Sequence, residues 1–385
     1  MRRERHDVLV VGARCAGAAT AMLLARRGLR VLVVERGAYG ADTISTHALM
    51  RGGVIQLHRW GLLPRLIELG TPPVRSTAFH YGEEEVAIAL RDEGGVDALY
   101  APRRTVLDSL LVDAAVESGA EVRHGHTLLG LLHDMTGRVT GGIVLGADGE
   151  PREIEAGLVI GADGIGSAVA RLAGAATLRE GRHATATVFG YWSGIATEGY
   201  HWHYVPGASA GAIPTNAGQH CVFVAIPPPR LRAAASRSAA FDATLREAAP
   251  ELAAQVAAGR GEGALSLFAG RRGHLRQAAG PGWALVGDAG YFKDPLTAHG
   301  ITDALRDAEL LADAVLRGTE HAFCEYAEAR DALSMPLFEA TEAIATFAWD
   351  LPSLMELHKA LNRAMKQEVE HLLARMPQNP AEETV

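Results

Sequence analysis

Between residues 7 and 36 the chain reads DVLVVGARCAGAATAMLLARRGLRVLVVER, and few folds accommodate that order. Residues 8–11 are a continuous apolar run ended by Gly12, the pattern of a strand buried on both faces of a parallel sheet. Ala16, Ala18, Ala19, Ala21, Met22, Leu23 and Leu24 follow, strong helix formers that start small, so the helix packs close to the sheet before ending near Gly28. Residues 31–34 supply a second buried strand. Two parallel strands with a crossover helix make a βαβ unit and predict an α/β fold.

The turn Gly12-Ala13-Arg14-Cys15-Ala16-Gly17 is a G-x-G-x-x-G with Arg14 in the middle glycine's place. The first glycine permits the tight turn and the last lets helix meet strand. The middle one normally opens the helix N-terminus to a pyrophosphate. Arg14 implies a different approach, with a cation added near the phosphates. Glu35 ends the second strand 35 − 12 = 23 positions after Gly12. A carboxylate there accepts both ribose hydroxyls of an adenosine and disfavours a 2′-phosphate. Strand, turn, helix, strand and terminal acid in this order predict a dinucleotide site, without choosing between NAD and FAD.

A chain of 385 residues with 48% hydrophobic and 6% aromatic content suits a soluble α/β enzyme of one large domain or two. A net charge of −8 argues against a nucleic-acid partner. Cys15, Cys221 and Cys324 are widely separated, with no CxxC or Cys/His cluster. Neither a disulfide framework nor a metal site is therefore expected, and the expected compartment is a reducing cytoplasm. Cys15 reads as a small turn residue rather than a redox thiol. No signal peptide precedes the first strand, and no apolar run reaches the ~20 residues of a membrane span. Scarce lysine beside abundant arginine and alanine suggests a GC-rich bacterial genome.

Further along, a helix carrying Val54, Ile55, Leu57, Leu62 and Leu63 ends at Gly61 and restarts after Pro64. Arg51 starts it, beside Gly52 and Gly53, where a guanidinium can reach back over a cofactor. His47 lies in the preceding loop, where a capping role is the simpler reading. Residues 76–90 make a two-stranded excursion turning at Gly82; Arg104 begins a helix, and residues 128–156 form a β-meander. A separate buried strand from Leu158 stops at Gly161-Ala162-Asp163-Gly164, whose glycines clear space around the carboxylate.

Residues 183–227 hold four short alternating strands, an antiparallel sheet carrying Phe189, Tyr191, Trp202, Tyr204 and Phe223. Core packing is the simpler reading for each aromatic, but a binding wall draws on the same set, and alternation implies that not all of them face inward. Residues 231–258 read as a helical cover on that sheet. A third glycine-marked junction follows: a strand ends at Gly287-Asp288, and an amphipathic helix starts after Pro295 and Gly300 with free N–H groups. The remainder is helical to Met376, with a break at Trp349-Asp350-Leu351-Pro352, and the last nine residues read as disordered.

Over residues 7–320 these three junctions have the order and spacing of the para-hydroxybenzoate hydroxylase-like flavin monooxygenases, and the chain resembles that family. The resemblance implies a glutathione-reductase-type FAD-binding Rossmann domain over 1–75, 96–180 and 276–318. It also implies an inserted antiparallel β-sheet substrate domain over 76–95 and 181–275, C-terminal helices over 319–376 and a flexible tail over 377–385. Gly12, Ala13, Arg14, Ala16, Gly17, Glu35 and Arg36 are implied at the FAD adenosine and phosphates. Arg51 and Arg104 match FAD-contacting arginines. Asp163-Gly164 matches the family's aspartate-glycine motif between FAD and the nicotinamide. Gly287-Asp288 matches its glycine-aspartate motif, with Asp288 implied on the ribityl chain. Pro295, Gly300 and Ile301 match the helix facing the flavin's pyrimidine edge. Two residues depart from the pattern: Arg14, and His299 where a glutamine is common.

With no second nucleotide-binding unit, NADH or NADPH is implied as a transient reductant. The reaction implied is hydroxylation or epoxidation of a hydrophobic, aromatic or polycyclic small molecule by O2, through a flavin C4a-hydroperoxide sheltered from water. Tyr191, Trp202, Tyr204 and Phe223 are the expected substrate wall, and His47, His201, His203 and His299 the candidate proton-transfer groups, with Trp202 beside them. His299, at a helix N-terminus, is expected to be neutral. Geranylgeranyl-reductase-like saturases share the scaffold and are the alternative. A halogenase fits poorly, because Tyr200-His201-Trp202-His203-Tyr204-Val205-Pro206 only half matches W-x-W-x-I-P and no lysine precedes Lys293. A non-catalytic flavoprotein is a further alternative. The sequence does not set the oligomeric state.

Overall fold

The computed structural model describes residues 3–375, so the expected tail at 377–385 lies outside the described residues. β1 (Arg3–Val11), α1 (Cys15–Ala25) and β2 (Val31–Glu35) form the βαβ unit. Its strands pair in parallel, Val8 beside Val31 through Val11 beside Val34, and α1 buries every residue except Leu23. Gly12 has φ +104°, and a Cβ there would stand 2.4 Å from the Ala162 carbonyl oxygen. A Cβ on Gly17 would stand 1.8 Å from the Gly12 carbonyl oxygen, so only glycine lets α1 start this close to β1.

α2 (Arg51–Arg59) and α3 (Leu63–Glu68) follow. Pro64 lies within the first turn of α3 rather than before the helix, because that turn needs no N–H donor from it. β3 (Ser76–Tyr81) and β4 (Glu84–Ala89) pair across the Gly82 turn and leave the first sheet. α4 (Arg104–Glu117) leads back to β5 (Glu121–His124), which pairs with β2. Next come β6 (Thr127–His133), β7 (Val139–Leu145) and β8 (Pro151–Gly161). The meander and the strand expected to begin at Leu158 thus share one strand. β8 runs beside β1 along its length, and only its other edge changes partner after Glu155.

After α5 (Ala168–Leu172) and β9 (Thr177–Glu180) come β10 (Ala186–Ser193), β11 (Tyr200–Val205), β12 (Ala208–Pro214) and β13 (Gln219–Ile226). Helices α6 (Pro228–Ala233), α7 (Arg237–Ala248) and α8 (Pro250–Ala258) precede β14 (Arg260–Phe268). β15 (His274–Arg276), β16 (Ala279–Gly280), β17 (Trp283–Leu285) and β18 (Tyr291–Phe292) are short. α9 (Gly300–Arg317), α10 (Glu320–Ile344) and α11 (Leu351–Ala374) close the described chain.

The first sheet runs β16-β17-β8-β1-β2-β5, with β7 and β6 branching from β8. The second runs β14-β10-β13-β12-β11-β3-β4, and β18-β15-β9 form a third. Cross-strand partners share a face, so register sorts the second sheet's side chains. Phe189, Phe223, Gly211, Trp202 and Phe79 stand in one row across it. Tyr191 lies two residues from Phe189, and Tyr204 two from Trp202, so all five aromatics share one face, against the expectation that alternation would split them. That face joins the main core with α1, α2, α4 and α9–α11. The opposite face, with Val188, Val222 and Val224, is covered by Phe241, Leu245 and Leu252 of α7 and α8. Burying each such phenylalanine contributes roughly 1.5–3 kcal/mol.

Candidate active site

The cleft is built around the start of α1. No side chain caps that end, and no acid lies in its first turn, so its N–H groups stay free for an anion. Glu35 accepts the Ala13 N–H at 2.9 Å and the Gly37 N–H at 2.7 Å, one on each oxygen. Each oxygen keeps a second acceptor position. Arg36 is exposed beside it. Arg14 is half-committed: Nη1 donates to Asp108 at 3.2 Å and Nη2 to the Asp42 carbonyl at 3.3 Å. Asp108 also accepts the Cys15 thiol at 3.1 Å and Arg104, one turn before it, at 2.9–3.0 Å. Burial pushes the Cys15 thiol far up, away from the reactive thiolate form. Asp108 escaped the sequence reading, although its place four residues after Arg104 on one helix was a usable signal.

Gly287 has φ +58°, and a Cβ there would meet the Ala16 methyl at 2.8 Å. That closeness sets Asp288 against the start of α1. Its carboxylate is half-buried and has no hydrogen-bond partner among the described residues. Burial pushes it up to about 6, against the opposing pull of Lys293 and Arg104. Gly52 and Gly53 let α2 approach α9, since their Cβ atoms would stand 3.1 and 2.9 Å from the Thr302 side chain.

Two expected groups are used locally. Arg51 donates to the Val96 carbonyl at 2.7 Å and pairs with Glu93 at 3.3 Å, bracing residues 93–96. Asp163 caps α5: one oxygen accepts the Ala168 N–H at 2.6 Å and the other the Ser167 hydroxyl at 2.5 Å. Gly164 beside it, at φ +77°, has open space where a Cβ would stand.

At the start of α9, Asp294 caps the turn Pro295–Thr297 through the Leu296 N–H at 3.0 Å and ties it to the Thr185 N–H at 2.6 Å. α9 itself has no side-chain cap, Gly300 is exposed with nothing within 4 Å of a Cβ, and Ile301 is buried. His299 is buried, with Nε2 2.6 Å from Glu368 Oε2. Its Nδ1 has no partner. Burial raises the Glu368 carboxyl, but His299, Arg306 and Lys293 outweigh it and hold the group down at about 2. Glu368 thus sets a carboxylate of α11 against the start of α9.

On the sheet side, His47 has φ +48° and its Nε2 lies 3.1 Å from the Tyr191 hydroxyl. Burial, then Arg103 and Arg104, lower His47 to about 3, while burial drives the Tyr191 phenol up. Both groups are neutral at pH 7. Arg103 lies 3.6 Å above the Tyr191 ring centroid. Trp202 donates to Thr77 at 3.2 Å and packs on Phe223. Tyr204 is covered by α11, its ring 4.7 Å from that of His358 and stacked on Tyr81. His201 and His203 pair with Ala212 and Ala210, whose side chains belong to the core under α7 and α8. They occupy the face opposite Trp202 and cannot serve the cleft, which removes them as candidate proton-transfer groups.

Residues 5–338 match the FAD binding domain family. The chain belongs to this family. It is an FAD-dependent oxidoreductase. Among curated relatives, digeranylgeranylglycerophospholipid reductase 2 of Methanothermobacter thermautotrophicus is 34% identical over 45% of this chain and 43% of its own length. The match thus spans under half of that protein. Menaquinone reductase of Mycolicibacterium smegmatis is 28% identical over 82% of this chain and 77% of its own. The structure of the flavin-dependent brominase Bmp2 superposes with a TM-score of 0.81 at 19% identity, covering 96% of this chain and 93% of that one. No helix among the described residues is long and apolar enough to cross a membrane.

The cleft fits the family's cofactor. A free helix N-terminus suits the pyrophosphate, an unpartnered carboxylate at Asp288 suits a hydroxyl chain, and His299 Nδ1, without a partner among the described residues, offers a polar group at the start of α9.

Proposed function

We propose that the chain is a monooxygenase that takes electrons from NADH or NADPH and places one oxygen atom of O2 on a hydrophobic, aromatic or polycyclic small molecule. In this reading Gly12, Ala13, Ala16, Gly17 and Glu35 hold the adenosine and phosphates, with Arg14, Arg36 and Arg104 supplying positive charge. Asp163-Gly164 borders the cleft, Gly287-Asp288 takes the ribityl chain, and Pro295, Gly300 and Ile301 border the ring. The second sheet is the substrate domain. Bound FAD would supply acceptance of the hydride and, once reduced, reaction with O2.

The observation that carries the reading is the row Phe189, Phe223, Trp202, all on one face with Tyr191 beside it. Such a wall excludes water and accepts an apolar substrate. His47 and Tyr191 stay neutral and linked, so they position an uncharged group or pass a single proton rather than bind a charged one.

A second reading, reduction of a carbon–carbon double bond in an isoprenoid chain, is favoured by the digeranylgeranylglycerophospholipid reductase among the relatives, with a menaquinone reductase matched over 77% of its length. One experiment separates the two. Purified flavoprotein is supplied with NADH or NADPH, with 18O2 or under nitrogen, and with aromatic or polyprenyl candidates. Product carrying one 18O atom and formed only in air supports monooxygenation. Product gaining two hydrogens under nitrogen overturns it in favour of the reductase.

A further inference from the structure

The outer face of the second sheet carries a cluster that the cleft does not use. His80 on β3 and His203 on β11 are direct cross-strand partners, and His201 lies two residues before His203. All three therefore stand on one face, the one away from Trp202 and Tyr204. His80 Nε2 is 3.0 Å from His201 Nδ1, and the His80 and His203 rings stack with centroids 4.1 Å apart. One nitrogen from each ring lies within 4.8 Å of those of the other two.

The surroundings set the proton positions. His201 Nε2–H donates to the Glu198 carbonyl at 2.8 Å, which leaves Nδ1 as a lone pair directed at His80. Glu85, opposite His80 on β4, places a carboxylate oxygen 3.7 Å from His80 Nδ1. The His201 Nδ1 lone pair accepts the His80 Nε2–H; a metal ion bound there would take the proton's place and shift it to His80 Nδ1, on the side of Glu85, and a carboxylate behind a histidine is a common support for a metal ligand. Two nitrogens on one tetrahedral zinc ion, each at about 2.0–2.1 Å, lie about 3.3–3.4 Å apart. The 3.0 Å separation here is close to that, and a modest turn of each ring supplies the angle.

His203 has no hydrogen-bond partner among the described residues, and from its place stacked on His80 it offers the third ligand atom. Glu85 and Glu251 are the carboxylates that bear on His80.

We propose that His80, His201 and His203 bind a divalent transition-metal ion of the zinc class, which ties β3 to β11. The sequence showed no metal site because the ligands come from strands 121 residues apart.

The test uses tag-free full-length flavoprotein, stripped with a chelator and titrated calorimetrically with zinc sulfate. One zinc per chain is expected, with a rise in Tm that follows zinc concentration. His80→Ala, His201→Ala and His203→Ala should each weaken binding about tenfold or more, with flavin absorbance unchanged. Cobalt bound in zinc's place should show visible ligand-field bands that the variants lose. His203→Phe keeps the stacked ring without a nitrogen and replaces His203→Ala if that variant unfolds. Failure of the wild type to take up zinc, or equal affinity in the double variant His201→Ala/His203→Phe, overturns the site.

Discussion

His299 and Glu368 meet at 2.6 Å, although 69 residues separate them, and so join the start of α9 to α11 inside the protein. Around them Arg306 binds Glu368 at 2.8 Å, Asp303 at 3.1 Å and Asp307 at 2.7 Å, while Lys293 pairs with Asp303. Every member is buried. Removing one partner from such a set leaves an uncompensated charge, at a cost of about 3–5 kcal/mol. Glu368→Gln is therefore expected to lower unfolding stability by that amount in a denaturant titration. In a double-mutant cycle with His299→Gln the coupling should exceed about 0.5 kcal/mol; a smaller coupling would mean that the two side chains only share space.

Asp288 stands without a hydrogen-bond partner beside the free start of α1, and the proposed FAD site gives it one. A hydrogen bond from a ribityl hydroxyl to a charged group contributes roughly 1.5–3 kcal/mol. Asp288→Ala should therefore weaken FAD binding between about tenfold and about 150-fold, with the Tm of the apoprotein maintained. Unchanged affinity in a fluorescence titration would remove Asp288 from the site.

Much of this was legible in the chain because it is local. The βαβ unit, the Gly82 excursion and the four strands over 183–227 follow from runs, alternation and glycines within a dozen residues. What failed was long-range. Nothing near His299 announces Glu368, and nothing near His201 announces His80. The bonds of Asp163 with Ser167 and Ala168 could not be read from its glycine flanks, because they depend on how the chain turns into α5. The shared face of the five aromatics needed the Phe189–Phe223 and Trp202–Gly211 registers, which no single strand encodes.

That shared face predicts a contrast between two of its members. Trp202 packs on Phe223, in the row proposed as the substrate wall, whereas Tyr204 is wedged between Tyr81 and His358 of α11. Trp202→Phe should raise KM or uncouple NAD(P)H oxidation from product while FAD stays bound. Tyr204→Ala should instead lower stability by about 3–5 kcal/mol, as large-to-small core changes do. If both variants merely unfold, the face is core throughout and the substrate lies elsewhere.

The same wedge carries a pH dependence. The Tyr81 hydroxyl and His358 Nδ1 share a hydrogen bond at 2.7 Å, and burial holds the imidazole down at about 4. An unfolded histidine titrates near about 6.5, so between these values the unfolded chain binds the extra proton. Stability from this residue is thus fully present above pH ~6.5 and is lost as pH falls toward 4, by up to about 1.4 kcal/mol per pH unit. His358→Gln keeps a hydrogen-bond partner for Tyr81 and removes the titration. The variant should be no more stable than the wild type at pH 7.5, yet gain on it by roughly 2 kcal/mol at pH 5. Asp288 and Asp294, pushed up to about 6 and about 7 by burial, act in the opposite direction in both proteins and cancel in the comparison. Parallel stability curves for the two proteins from pH 7.5 to 5 would show that His358 is free to take up a proton in the folded state.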